Sequence, residues 1–503
     1  MPQSGLVCVS SWVLSSAIFI GMVALFGGPT QNDAVESLYA TWALAHGKVA
    51  CAYPPVSPVP ASKYFLFYQP HPAPPPLWPL ISGGIAAVTR IGHTATFPSQ
   101  NALGASCADG YYGMYKWAQD TAAIFPTIGL GYWSWFVLLA GVVALLRASG
   151  RGRTGWEVFG VISVALLPLV WMPLLDQFHP QDLVALGLSL GGIACARRRE
   201  WVWAGVLVGL AVTSQQFALL VLAPLVVVAP GKQRWKLLVS SAAVVALVSL
   251  PFIVATSGRA AHAVLFGTGD SITFGGTLLW ESGLRGGALV FCSRILPIFV
   301  SMAIAWWALR RLGSRVLEPI PLVSLLATSL SLRLVFEEGL FGYKFLALGV
   351  MLLLLAIVRG RIRPSLVAWL AFAALAFNPI PGPLSINGRS WGAHVGSVLP
   401  LAGIVVALVL IVYNAAQRRV RWYLVAWFVI AACSFLQWPL WQPDSVRAVM
   451  PIWILQLVLL PTGVVMAVSP LVNSIRTAGP NPPVSPENNA TLSRSAVTQQ
   501  PDN

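Results

Sequence analysis

A few ionisable side chains stand inside or beside apolar runs, and their spacing limits the chemistry open to them. Asp33 follows Gly27-Gly28-Pro29, which stops the first apolar run, and it opens a stretch to Gly47 with helical periodicity. Two roles fit it: the cap of a helix lying on the membrane surface, or a carboxylate held there as a general base. The residues alone leave both open. Glu36, in the same stretch, is a candidate substrate contact. His179 and Asp182, three residues apart, suit an acid/base pair or a hydroxyl clamp, and ordinary capping by Asp182 fits equally well. Arg333 is the unusual cation: counted from Pro319 it stands about 21 Å along its helix, inside an apolar layer of roughly 30 Å. A charge at that depth is costly unless it is paired or faces a wet cavity, which makes Arg333 a candidate anion ligand. The competing role is a structural pair with Glu337, four residues on and on the same face. Lys344, beside Tyr343, is either a second ligand or a side chain snorkelling to the headgroups. Arg389 and His394, in the 378–394 loop, can reach the same side of the membrane.

Such residues need a scaffold, and composition says which kind. Of 503 residues, 57% are hydrophobic and 9% charged, whereas soluble domains carry about 25% charged residues. The chain therefore reads as an all-α polytopic membrane protein. A formal charge of +15 in a soluble chain would suggest nucleic acid. Position argues otherwise, because the basic residues cluster between alternate apolar segments: Arg147/Arg151/Arg153, Arg197/Arg198/Arg199, Lys232/Arg234/Lys236, Arg310/Arg311/Arg315, Arg359/Arg361/Arg363 and Arg418/Arg419/Arg421. The positive-inside rule puts all of them in the cytoplasm and leaves no nucleic-acid partner to invoke.

Keeping these clusters on one side requires 201–229 to be two short helices that enter and return around Ser214-Gln215-Gln216, which must then be buried in protein or line a cavity. It also requires 77–91 to be an interfacial helix and not a span. Expected spans are 6–26, 125–146, 156–175, 182–196, 201–213, 217–229, 237–256, 288–309, 319–335, 342–358, 364–377, 395–413, 422–441 and 448–470. That makes about 14 membrane helices with both termini cytoplasmic. Residues 1–470 form the membrane domain, with 27–124 as a long outer loop ordered by its aromatics, among them Tyr39, Trp42, Tyr53 and Trp78. Residues 471–503, rich in Pro, Asn, Ser and Thr, read as a disordered cytoplasmic tail.

A first span, a short linker, Asp33, an amphipathic helix ending at Ala45-His46-Gly47, and then Tyr53-Pro54-Pro55 resemble the start of the GT-C superfamily of polyprenol-phosphate-sugar-dependent glycosyltransferases. The likeness is to the bacterial alpha-mannosyltransferase branch. Three further stretches agree: Pro70 to Pro79, Phe178-His179-Pro180-Gln181-Asp182, and the Ala204-Gly205 to Pro224 hairpin. The similarity covers roughly the first half of the chain; where relatives often have Lys-Pro in the hairpin turn, this chain has Ser214-Gln215-Gln216. The resemblance implies an inverting transfer of a sugar, mannose above all, from a polyprenyl-phosphate donor to a lipid-linked or glycan acceptor at the outer face of a bacterial plasma membrane. Asp33 would be the catalytic base, Arg333, Lys344 and Arg389 would bind the donor phosphate, and Glu36, His179, Asp182, Glu337 and His394 would contact substrate. No cofactor and no metal is expected, since no Cys/His spacing resembles a zinc site. In that oxidising compartment Cys51 and Cys107 are expected to pair. A transporter or flippase for an anionic lipid or solute is the competing reading, carried by Arg333 and by Gln215/Gln216 in a broken helix; a scaffold without chemistry is a third.

Overall fold

A computed structural model describes residues 39–53, 75–89, 124–152, 155–165, 167–171, 173–174, 179–266, 284, 286–337, 344–363, 365–367, 369–370, 373 and 449–478, with single positions at 16, 17 and 107. Among them every regular element is helical. Helices α1 to α4 are Leu77–Thr89, Ile124–Ala148, Gly155–Ala165 and Pro180–Arg197; α5 to α8 are Trp201–Ser214, Leu219–Val228, Gln233–Ala255 and Arg259–Phe266. Helix α9, Leu296–Leu312, is entered through Gly286–Val290 and a π-helical turn at Phe291–Ile295, and α10 to α12 are Pro319–Val335, Phe345–Val358 and Val449–Ala478. Among the described residues four stretches are long and apolar enough to cross a membrane: Gly131–Ala148, Gln233–Ala255, Gly287–Leu317 and Leu459–Ala478. The expected spans 395–413 and 422–441, and 6–26 apart from positions 16 and 17, lie outside the described residues.

Close helix crossings set the directions of the bundle. Gly141 of α2 and Gly187 of α4 meet so tightly that a Cβ on either would stand within 2.4 Å of a backbone oxygen opposite. Small residues play this part in membrane bundles, where packing and not the hydrophobic effect drives association. Gly205 and Gly209 of α5, four residues apart, face Leu237 and Ser241 of α7, also four apart and in the same order. Helices α5 and α7 are therefore parallel, and the chain must return between them. That return runs through α6, so 201–229 does enter and come back, with the break at Gln215 in extended conformation (φ −159°, ψ 136°).

The same return brings the basic clusters to one end. Arg151 donates to the Val358 carbonyl at 3.0 Å and Arg197 to the Ala148 carbonyl at 3.5 Å. Arg197 also donates to the Leu317 carbonyl. These bonds join the ends of α2, α4 and α11 to the turn after α9, and the parallel register of α5 and α7 puts Lys232, Arg234 and Lys236 beside them. Five of the six clusters share this basic end through their described members; Arg153 and the cluster Arg418/Arg419/Arg421 lie outside the described residues. At the opposite end, Tyr39, Trp42, Tyr53 and Trp78 are buried in one cluster with Val184, Phe252 and Ala260. This cluster fastens residues 39–53 and α1 onto the tops of α4, α7 and α8. Residues 39–45 are helical, and Gly47 (φ +71°) ends them as expected: Lys48 N–H bonds to the Ala43 carbonyl and Gly47 N–H to that of Leu44.

Two expectations are corrected. The stretch 156–175 is not one helix: α3 stops at Ala165, and a separate short helix starts at Pro168, whose ring disfavours helical geometry in the residue before it. Order also extends past 470, because α12 continues to Ala478, eight residues into the expected disordered tail. Leu471 is fully buried there and Ile475 packs on the core, contacts that a polar composition does not announce.

Candidate functional site

The site lies at the end of the bundle opposite the basic clusters, where α10 finishes and α11 begins. Arg333 occupies the last turn of α10, where the helix dipole favours a cation; Lys344 stands at the N-cap of α11, where it does not. Glu337 reconciles them. Arg333 Nε is 3.2 Å from one of its carboxylate oxygens and Lys344 Nζ is 3.0 Å from the other. Burial opposes ionisation of Glu337, but Lys344 and Arg333, with Arg294 further off, outweigh it and hold the carboxyl below the usual carboxylate range. The structural pair considered for Arg333 thus exists, and it is one arm of a larger cluster. Lys344 is 8% exposed, so it does not snorkel.

The helix break supplies the next layer. Arg294 donates to the side-chain carbonyl of Gln216, whose amide donates to the Val264 carbonyl. The Arg333 guanidinium lies 4.8 Å above the Phe217 ring. Arg294 belongs to the π-helical turn that leads into α9, a distortion common at functional sites because it re-aims side chains. On the other side of the break, the Ser214 hydroxyl donates to the Gln181 carbonyl at 3.0 Å. Ser214 is fully buried and Gln215 and Gln216 half-buried, which meets the requirement placed on this turn.

Gln181 begins α4 together with His179 and Asp182. The Gln181 amide is 3.0 Å from His179 Nδ1. Asp182 is 1% exposed, and neither of its carboxylate oxygens has a hydrogen-bond partner among the described residues. The capping role weighed for it is therefore not what the structure contains: His179 is the N-cap residue, and no side chain caps the helix. A buried carboxylate without donors is costly, and such groups call for an explanation in function.

Cys51 and Cys107 are joined by a disulfide with a Cα separation of 5.2 Å. The Tyr39 hydroxyl donates to the Cys107 carbonyl at 2.7 Å, and burial pushes its phenol up to about 12, so it stays a donor. Arg259 at the start of α8 donates to the carbonyls of Tyr53 and Ala50, each at 3.2 Å. Residues 39–53 are thus tied to the bundle by polar and aromatic contacts, and to position 107 by the disulfide. Asp33, Glu36, Arg389 and His394 lie outside the described residues. Arg333, Glu337 and Lys344 come together, whereas His179 and Asp182 sit across the helix break from them.

Sequence reasoning missed Arg294. It lies within the apolar run 288–309, and the rule that singled out Arg333 applies to it equally. Gathered cations at a low-dielectric boundary can hold an anionic group and neutralise charge that grows on it. No protein-family model and no curated protein matches the chain.

Proposed function

We propose that the chain is a GT-C-type membrane glycosyltransferase that moves a sugar, mannose in the first instance, from a polyprenyl-phosphate donor to a cell-envelope glycolipid or glycan. The observation that carries this reading is the convergence of Arg294, Arg333 and Lys344 around Glu337, at the end of the bundle away from the basic clusters. In the topology proposed with it, about 14 membrane helices cross a bacterial plasma membrane with both termini cytoplasmic. Residues 27–124 form the outer loop, and the site opens outward. Asp33 accepts the proton of the acceptor hydroxyl as that oxygen attacks the anomeric carbon from the face opposite the phosphate. The bond from the anomeric carbon to the phosphate oxygen breaks, and its electron pair leaves on the polyprenyl phosphate, inverting the centre. Arg333 and Lys344, with Arg389 and Arg294, stabilise that leaving charge; Glu36, His179, Asp182, Glu337 and His394 contact the substrates.

The test is Asp33→Asn in the full-length protein, assayed with polyprenyl-phosphate mannose and an envelope glycolipid. Transfer should vanish while the melting temperature is kept. Full activity would sink the assignment of the base. A transporter of an anionic lipid or solute remains the second reading, favoured by the broken helix at Gln215, since transporters build sites from interrupted helices. Vesicles that move labelled polyprenyl phosphate across the bilayer without forming a glycosidic bond would decide for it.

A further inference from the structure

Far from the cation cluster, near the basic end, a cleft of about 650 Å³ opens on the outside of the bundle between α6, α7 and α9. Its size is that of a small-molecule site, roughly 300–1,000 Å³. Val226 and Val227 of α6 form one wall and Met302, Ala303 and Trp306 of α9 the other; among the described residues the one charged side chain lining it is Arg234, in the first turn of α7. These helices turn apolar side chains outward: only 17% of the α7 span is buried, and Trp306 is 54% exposed. What covers such a surface in a membrane is acyl chain.

The charges at the mouth narrow the occupant further. Lys232, Arg234 and Lys236 start α7, and Arg310 and Arg311 end α9 on the same level. Arg310 stacks its guanidinium 4.7 Å from the Trp306 ring, which sets a tryptophan and a phosphate-matching fork side by side where headgroups lie. Among the described residues neither Arg234 nor Arg310 is paired with a carboxylate. Arginine forks suit phosphate diesters, and basic pockets between membrane helices hold anionic headgroups.

The geometry points to a binding site for an anionic glycerophospholipid, one acyl chain lying between α6 and α9 and the phosphate held by Arg234 and Arg310. It is independent of the transferase reading, because it uses none of the residues at the opposite end. The test takes the full chain, delipidated in a neutral detergent, and measures binding of phosphatidylglycerol, phosphatidylcholine and inorganic phosphate by native mass spectrometry and thermal shift. Phosphatidylglycerol should bind at least ten times more tightly than phosphatidylcholine. The preference should disappear in Arg234→Gln/Arg310→Gln, and binding should weaken in Ala303→Phe, which fills the cleft and keeps the charges. In the unaltered protein, bromine-labelled phosphatidylglycerol should quench tryptophan emission, and Trp306→Phe should lose that component. Equal binding of the two lipids, or the same response to inorganic phosphate, would overturn the proposal. So would a preference that survives in both groove variants, or quenching unchanged in Trp306→Phe.

Discussion

Glu337→Gln keeps the shape of the side chain and removes the charge that Arg333 and Lys344 share at 3.2 and 3.0 Å. Unit charges about 4 Å apart attract by about 4 kcal/mol at an effective dielectric near 20, and desolvation takes back much of it. Breaking a buried pair costs about 3–5 kcal/mol. The side chains of Arg333, Glu337 and Lys344 keep 14, 19 and 9% exposure, so the low end, about 3 kcal/mol, applies. At roughly 2.1 cal/mol/K of unfolding entropy per residue, a chain of 503 residues shifts by about 1 °C per kcal/mol, giving a fall of about 3 °C at pH 7. The pH dependence carries more information. Because the folded carboxyl is held below its unfolded value, the unfolded state binds more protons in the window between them. The contribution of Glu337 is complete above about pH 4.3 and is lost as pH falls through the folded value. The melting temperature of the native protein in detergent should therefore drop in acid by more than that of the variant. Adding Arg333→Gln to Glu337→Gln should cost less than the two single changes summed. Identical acid profiles for Glu337→Gln and the native protein, with additive single effects, would refute the claim that this carboxylate organises the cations.

Three further outcomes follow from the geometry. Gly187→Ala puts a methyl 2.4 Å from the Val137 carbonyl; overpacking of this kind costs about 1–3 kcal/mol, so thermal melts should fall, while Gly84→Ala, with open space around it, should melt like the native protein. Cys51→Ser opens a loop of 56 residues, which the loop-closure model values at about 4 kcal/mol; non-reducing peptide mapping should show the 51–107 link, and melts with and without reductant should reproduce its loss. Asp182→Asn should melt at or above the native temperature, because an amide is cheaper to bury than a carboxylate without donors; a clear fall would mean that the charge is held by a structural partner, and an unchanged sugar-transfer rate would remove Asp182 from the substrate contacts.

What the sequence made legible, and what it hid, follows from the range over which each signal acts. Basic clusters mark one end of the bundle because each is a local composition that acts alone, and the Ser214-Gln215-Gln216 break is legible because polar residues in mid-run must be buried somewhere. Gly47 reads as a helix end from its own backbone freedom. The end of α12 does not, since Leu471 and Ile475 stay helical through contacts with the distant core. Lys344 reads equally well as a snorkelling residue until Glu337, seven positions before it in the chain, is placed beside it. Arg294 is the sharpest case: its partner Gln216 is 78 positions away, and no local pattern joins them. Its presence in an apolar run was nevertheless the same signal that singled out Arg333. A cation in such a run has to reach a polar partner, and the π-helical turn at Phe291–Ile295 and the break at Gln215 with its following 3-10 turn, Gln216–Ala218, are the two distortions through which this one does. Each breaks the helical rule locally, so the two irregularities are better understood as one feature than as separate defects.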